Sequence, residues 1–180
     1  GLIRARKKPY FCRIDFRQDG SSEIEKLYIG KTSLSRVEDN SQLIVDWRAP
    51  IASVYYDGRL GHVTYSSPSG TLGGELLLKR QYTINDGKLE GMMDIDITTN
   101  DTLLQAALGE SKDNRLKDIV ATIQAEQNEI IRAGISNPLI IQGAAGSGKT
   151  TIALHRIAYL IYTYEKDFDP DNFLIIAPNR

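Results

Sequence analysis

Eight consecutive residues, 143–150, combine the residue types that are needed to hold a chain of phosphates. They read Gly-Ala-Ala-Gly-Ser-Gly-Lys-Thr and match the pattern G-x-x-x-x-G-K-[ST]. Glycines let the backbone wrap its N–H groups around phosphate oxygens with no side chains in the way. The lysine brings a positive charge to the β- and γ-phosphates, and the next hydroxyl is a ligand for Mg²⁺. The pattern predicts a nucleoside triphosphate site.

The candidate site residues lie in this loop or directly after it. Lys149 and Thr150 are the candidate catalytic residues, and Thr150 is also the candidate Mg²⁺ ligand. The pattern arises by chance in on the order of 1% of chains of this length, and the alternative is an ordinary glycine-rich turn. The residues predicted to bind the nucleotide here are Gly143, Ala144, Ala145, Gly146, Ser147, Gly148, Lys149, Thr150 and Thr151.

The flanks of the loop have the apolar pattern of a strand–loop–helix unit. Residues 139–142 form a short apolar run after Asn137-Pro138, which predicts a buried strand. Residues 149–164 are apolar nearly all round, which predicts a buried helix. Residues 173–177 predict a second buried strand. A strand, a crossover helix and another strand form one βαβ unit of a parallel sheet.

Upstream of the loop, helices are predicted to follow Thr98. One spans 101–108, and another spans 114–133 with a break near Thr122 and an end at Gly134. Gln127 lies on the apolar stripe of the second helix, sixteen residues before Gly143. A polar side chain there either has a partner or lies at a boundary, half in solvent.

The N-terminal half has the pattern of short strands joined by tight turns. Asp-Gly pairs at 19–20, 57–58 and 86–87 lie beside β-branched and aromatic runs and predict hairpins. We therefore expect a small antiparallel sheet or a partly open barrel. The predicted strands are 11–16, 24–29, 43–47, 51–56, 60–65, 75–84 and 88–97.

Together these patterns predict an α+β chain. An antiparallel β-rich region, 1–97, is followed by the start of a P-loop (RecA-like) α/β motor domain, 98–180, which is incomplete. Net charge is −1, so the chain as a whole is not a polycation, although residues 1–20 carry six basic and two acidic side chains. That basic stretch is either a solvated tail or a contact for phosphate or an acidic partner.

The single cysteine, Cys12, excludes a disulfide framework and a cysteine-rich metal site. It fits a reducing compartment. No apolar run approaches the roughly 18 residues that span a bilayer. The sequence therefore predicts a cytoplasmic location and no membrane partner.

Three segments around the loop resemble superfamily 1 helicases. Residues 123–127 resemble the Q motif, which implies that Gln127 recognises adenine, since an amide both donates and accepts. Residues 151–160 resemble the helix after the P-loop in UvrD/Rep-type helicases. Residues 173–180 resemble motif Ia, which implies that Pro178, Asn179 and Arg180 contact single-stranded nucleic acid. DNA is the first candidate for that nucleic acid. One departure is Ile123-Gln124, where the family often has Leu-Asn, so the local helix cap is expected to differ.

The N-terminal half resembles the region that precedes the motor in HelD-type, RNA-polymerase-associated helicases. The resemblance implies an ATP-dependent helicase with ATP and Mg²⁺ as ligands, which releases or recycles RNA polymerase. Within it, Trp47 and Arg48 are interpreted as a structural stacking pair. The alternatives are a UvrD/Rep-type DNA-repair helicase, a mainly protein-docking module on RNA polymerase and, more distantly, a P-loop kinase. The segments that carry the resemblance are 9–11, 13–16, 28–30, 46–50, 78–82 and 117–123.

The chain is expected to be an internal fragment of a larger protein. The acidic Walker B strand and the arginine fingers that superfamily 1 motors use lie outside it, so we expect negligible ATP hydrolysis by this chain alone. Two parallel strands and one helix leave open sheet edges. We therefore expect residues 139–177 to be the less stable part, or to be covered by a neighbour.

Overall fold

The structure is a computed structural model that describes residues 7–95 and 123–176. The chain divides into two compact units, Gly1–Ile123 and Gln124–Arg180, here called the β unit and the helical unit. The domain boundary expected between residues 97 and 98 lies outside the described residues. So do the helix expected at 101–108 and residues 114–122 of the one expected at 114–133.

The described part of the β unit is built on one mixed sheet, and this confirms the antiparallel β-rich prediction. Its order is β3-β4-β2-β1-β6-β5, and β7 also pairs with β6. All pairs are antiparallel except β2 with β4, which run parallel. The strands are β1 (Cys12–Gln18), β2 (Glu25–Gly30), β3 (Leu34–Ser35), β4 (Gln42–Asp46), β5 (Gly61–Ser67), β6 (Gly70–Asn85) and β7 (Lys88–Asp94).

Two predicted Asp-Gly turns are confirmed, and one turn was missed. The β6–β7 turn has Asp86 at φ 46° and Gly87 at φ 79°, the left-handed pair that a tight hairpin needs. Gly20, between β1 and β2, has φ 82°. The turn between β5 and β6 was not predicted. In it Gly70 has φ 120° and follows Pro68-Ser69. That Pro-Ser-Gly sequence is a turn signal that could have revealed it.

The strand predicted at 51–56 is wrong. This segment forms a 3-10 turn, Pro50–Ala52, followed by the short helix α1 (Ser53–Asp57). Pro50 is the first residue of the 3-10 turn, a position where proline's missing N–H and fixed φ favour a helical conformation. A short apolar run bounded by proline reads equally well as a buried strand or a buried helix. The pair Asp57-Gly58 therefore ends a helix, and Gly58 has an ordinary φ of −74°.

The segment 46–50 joins β4 to this turn through a buried ion pair. Asp46 is 2% exposed and accepts from Arg48 Nε at 2.8 Å, from Nη2 at 2.7 Å and from the Arg48 backbone N–H at 2.9 Å. Trp47 is buried beside it. These contacts favour the structural interpretation of 46–50, and they make Asp46 the partner of the Arg48 guanidinium.

A lysine, a cysteine and a tyrosine share the buried side of the sheet. Cys12 is fully buried, and Lys79 is 8% exposed. Lys79 Nζ donates to the Gly58 carbonyl at 2.9 Å and lies 5.5 Å from the centroid of the Tyr55 ring. Burial raises the pKa of the Cys12 thiol well above its ordinary value, and it lowers the pKa of Lys79. Burial likewise raises the pKa of the Tyr55 hydroxyl.

We expect the β unit to lose stability as the pH rises above 9.0, the ordinary pKa of a cysteine thiol. There the unfolded chain releases the Cys12 proton while the folded chain keeps it, so the free energy of unfolding falls, by about 1.4 kcal/mol per pH unit. The lowered pKa of Lys79 acts in the opposite direction. Urea unfolding of wild type and Cys12→Ala at about pH 8 and about pH 10 isolates the thiol, since Lys79 is common to both. A difference between them that does not change with pH would contradict this expectation.

The described part of the helical unit contains two α-helices and a 3-10 turn. They are α2 (Ala125–Arg132), α3 (Lys149–Thr163) and Pro170–Asn172. The helix predicted at 149–164 is thus confirmed. The upstream helix begins after Gln124 and ends at Arg132, with Ala133 as its C-cap. Thr122, near which a break was predicted, lies outside the described residues. No helix among the described residues is long and apolar enough to cross a membrane.

The two buried strands predicted at 139–142 and 173–177 are wrong for the residues described. Neither 139–142 nor 173–176 is a strand, and Ile140, Leu174 and Ile176 are 83%, 83% and 87% exposed. A strand forms only with a hydrogen-bonded neighbour, and neither run pairs with another among the described residues. Helix α3 is also less covered than expected, because Leu154 on it is 52% exposed.

Candidate nucleotide-binding site

The loop 143–150 takes the curved conformation that its glycines permit. Gly146 and Gly148 have φ of 81° and 82°, in the left-handed region where glycine is favoured. The backbone N–H of Ser147 donates to the Ala144 carbonyl at 3.2 Å and closes the turn. Gly148 is the N-cap of α3, so the free N–H groups of the first helical turn lie at the end of the loop. This is the arrangement that favours an anion.

Lys149 folds back over the loop that precedes it. Its Nζ donates to the carbonyls of Gly143 at 2.8 Å and Ala144 at 2.6 Å, and it lies 3.5 Å from Ser147 Oγ. A Cβ added to Gly143 would lie 2.8 Å from Ser147 Oγ, so a side chain there would crowd the inside of the curve. The ammonium is therefore held at the loop by groups that a phosphate oxygen can replace.

Of the remaining predicted residues, Ala145 and Thr150 are exposed and Thr151 is half-buried. Ala145 lies in the turn, and Thr150 lies in the first turn of α3. Thr151 follows it, and its carbonyl lies 2.7 Å from His155 Nδ1. The loop is thus open to a ligand from solvent.

Gln127 is the third residue of α2 and takes part in the cap of that helix. Its Oε1 accepts the backbone N–H of Gln124 at 3.1 Å, in the reciprocal arrangement of a capping box. The helix is therefore capped despite the departure at Ile123-Gln124, because Gln124 takes the N-cap position. The bond uses the oxygen of the Gln127 amide and leaves its NH₂ group to donate to a ligand.

The structure places some of the predicted site residues in one unit and does not describe the others. Gln127 and the loop belong to one compact unit, in which α2 packs on α3. Within the described residues the hydrogen bond of Gln127 is to Gln124 and not to the loop. Pro178, Asn179 and Arg180 lie outside the described residues.

Arg156 on α3 makes contacts that the sequence interpretation did not assign. Its guanidinium donates to four backbone carbonyls at the end of α2, over distances of 2.6–3.1 Å. The one signal in the sequence is a charged residue within a largely apolar helix. The accepting carbonyls belong to Ile130, Ile131, Ala133 and Gly134.

The donors of this site fit a magnesium-bound triphosphate. The curved loop supplies backbone N–H groups and an ammonium, and the helix N-terminus adds its partial positive charge. The inside of the curve would be filled by a Cβ at Gly143, which is the sign of a cradle built for close approach of a ligand. Thr150 is the residue that would hold Mg²⁺.

Comparisons with known proteins agree with the two-part organisation. Residues 1–128 match the family model of the N-terminal domain of DNA helicase IV HelD, and residues 123–178 match the UvrD/REP helicase N-terminal domain. The chain is similar to the ATP-dependent DNA helicase PcrA of Staphylococcus epidermidis, with 47% identity over 59 residues, or 33% of this chain and 8% of that protein. For PcrA of Staphylococcus aureus the identity is 46% over 55 residues, or 31% of this chain and 7% of that protein.

The curated relatives are much longer than the part of them that this chain matches, since the chain spans only about 8% of their length. The UvrD/REP helicase model covers the segment that carries Gln127, the loop and α3. The HelD model, by contrast, covers the β unit. Because that model matches 128 of the 180 residues, the chain belongs to the HelD family of superfamily 1 helicases.

Proposed function

We propose that residues 143–150 bind the triphosphate of ATP with Mg²⁺ and that the protein is an ATP-driven motor on single-stranded nucleic acid. The observation that carries this proposal is the ammonium of Lys149, held inside a curved loop at the N-terminus of α3. When a triphosphate enters the loop, the Lys149 ammonium exchanges its two carbonyl acceptors for charged phosphate oxygens. These oxygens are stronger partners for an ammonium.

Each residue of the loop has a defined task in this proposal. The backbone N–H groups from Gly146 onward bind phosphate oxygens, and Lys149 stabilises the charge on the β- and γ-phosphates. Mg²⁺, when bound at Thr150, supplies a further positive charge to the transferred phosphoryl group. The relatives named ATP-dependent DNA helicases support ATP as the nucleotide and DNA as the nucleic acid.

Replacement of Gln127 is expected to weaken ATP binding through the base alone. Gln127→Glu keeps an oxygen for the helix cap and removes the NH₂ donor, so ATP should bind about tenfold more weakly, the effect of one lost hydrogen bond to a ligand. Inorganic tripolyphosphate should bind as before. Gln142→Ala, at an exposed glutamine of the same unit, is the control. Equal losses for ATP and tripolyphosphate would show that Gln127 does not read the base.

The motor activity is tested by ATP turnover of the full-length protein with and without single-stranded DNA. We expect turnover that single strands stimulate and that Lys149→Ala abolishes. ATP binding with no turnover under either condition would contradict the motor function and leave only nucleotide binding.

A second function, docking on RNA polymerase, is favoured by an aromatic cluster on the β unit. The half-buried rings of Tyr10, Tyr28 and Tyr82 lie with centroids 4.8–6.2 Å apart, and Arg13 lies 5.9 Å from the Tyr28 ring centroid. Tyrosine and arginine are enriched where proteins bind other proteins. HelD membership supports RNA polymerase as this partner, and its release from nucleic acid as the task of the motor.

Co-purification with RNA polymerase tests the docking function. The full-length protein should retain the polymerase at physiological salt after nuclease treatment, and Tyr28→Ala combined with Tyr82→Ala should lose it. Tyr65→Ala, a half-buried tyrosine that packs on Phe16, is the control for the β unit. Retention by the double variant would exclude the cluster as the docking surface.

A further inference from the structure

We infer that Arg156 is a positioning residue for adenine recognition. It fixes helix α2, which carries Gln127, on helix α3, which carries Lys149. The inference rests on the proposed binding of ATP and adds to it a link between the base and the triphosphate halves of the site. Arg156 itself is not placed in contact with the nucleotide.

The contacts of Arg156 replace the usual end of a helix. Helices leave their last carbonyls without intrahelical partners, and a left-handed glycine commonly satisfies them. Here the C-cap, Ala133, has φ −54° and ψ 142°, so the chain leaves α2 in an extended conformation. The Arg156 guanidinium supplies the donors instead, from Nη1 and Nη2, at 2.6–3.1 Å. The positive charge also suits the negative end of the helix dipole.

A second arginine fixes the same turn of α2. The Arg132 guanidinium lies 5.2 Å from the Tyr159 ring centroid on α3, and its Nε donates to Asn128 Oδ1 at 2.9 Å. Asn128 is fully buried, and Ile131 is 1% exposed. The last turn of α2 is therefore held on α3 by charge, by ring contact and by apolar packing.

The position of Gln127 follows from this anchoring. Gln127 lies one helical turn before Ile131, and its own cap with Gln124 stiffens the first turn. Arg156 lies two turns after Lys149 on α3. A short helix that is anchored at one end and capped at the other keeps its side chains at a fixed distance from its anchor. We therefore expect loss of the Arg156 contacts to shift the base-reading amide, while the remaining contacts of α2 keep the helix on α3 and the phosphate loop keeps its own contacts.

The test measures the binding of ATP and of inorganic tripolyphosphate, each with Mg²⁺, to the full-length protein. Four forms are compared: wild type, Arg156→Met, Gln127→Glu and the double variant. We expect Arg156→Met to bind ATP about fivefold to tenfold more weakly and tripolyphosphate within about twofold of wild type. Because Arg156 acts through Gln127, the double variant should bind ATP no more weakly than Gln127→Glu does.

The outcomes separate this inference from the proposed function. Equal losses for both ligands, or losses that multiply in the double variant, overturn the role of Arg156. Failure of the wild type to bind either ligand contradicts the proposed function instead. Hydrogen exchange adds a direct readout, with faster exchange expected in α2 and unchanged exchange in the first turn of α3. If Arg156→Met does not fold, Arg156→Lys, which keeps the charge and the aliphatic stem, repeats the same comparison with a smaller loss.

Discussion

Lys149→Ala is expected to weaken the binding of MgATP by about 100-fold or more. The ammonium gives charge-assisted contacts to two phosphates, each of which contributes about 1.5–3 kcal/mol. In the structure the same group bonds to the carbonyls of Gly143 and Ala144. The carbonyl acceptors are uncharged, so these bonds are weaker than the bonds to phosphate oxygens that replace them. Titration calorimetry of the full-length protein with MgATP measures the loss.

The control for this prediction is Lys166→Ala, which removes an exposed lysine after α3. It should leave ATP affinity unchanged within about twofold, so that a loss at Lys149 is not a general effect of charge. Unaltered ATP affinity in Lys149→Ala, with the variant folded, would remove Lys149 from the site. The assignment of the loop would then fail with it.

Asp46→Ala is expected to lower the free energy of unfolding of the β unit by about 3 kcal/mol. Removal of one partner from a buried ion pair costs roughly 3–5 kcal/mol, and the lower end applies because the Arg48 side chain is 23% exposed and reaches water in part. The change also removes the acceptor of the Arg48 backbone N–H. Urea unfolding followed by circular dichroism measures the effect.

The chain offers a matched control on its surface. Asp39 and Arg36 form an ion pair at 3.4 Å in which both side chains are 52% exposed. Asp39→Ala should therefore lower the free energy of unfolding much less than Asp46→Ala does, as is usual for solvent-exposed pairs. Similar losses for the two aspartates would mean that burial does not strengthen the pair at Asp46, and that 46–50 is not a structural joint.

The parts of the fold that were predicted from the sequence are those set by local chemistry. The turn at Asp86-Gly87 is decided by which residues accept a positive φ, and it fixes the register of β6 and β7. The start of α3 at Lys149 follows from glycine at the preceding position, because Gly148 takes a left-handed conformation there. The loop 143–150 could be predicted for the same reason, because its glycines accept a positive φ.

The parts that were not predicted depend on partners distant in the chain. Residues 51–56 are largely apolar, and whether they form a strand or a helix depends on Pro50 and on the residues that pack on them. The runs 139–142 and 173–176 have the composition of strands, yet pairing with a neighbour decides whether they form them. Lys79 lies within a strand as an ordinary charged residue, and only the fold brings its Nζ to the Gly58 carbonyl.

The same reasoning applies to the candidate site. Lys149 and Thr150 follow from the pattern in which they stand, whereas the role of Arg156 follows from contacts with residues 22 to 26 positions away. The cap at Gln124 and Gln127 lies between these cases. Its spacing of three residues is a local signal, although glutamine is an uncommon N-cap.

Binding of the triphosphate by the loop is tested most directly by hydrogen exchange of the backbone amides of 143–150, with and without MgATP, in the full-length protein. Backbone N–H groups that bind phosphate oxygens are protected from exchange, and those of the β unit, such as β5, serve as the internal reference. We expect slower exchange in the loop and in the first turn of α3 when MgATP is bound, and no such change in Lys149→Ala. MgATP binding that leaves exchange in 143–150 unchanged would place the nucleotide elsewhere and exclude this loop as the phosphate site.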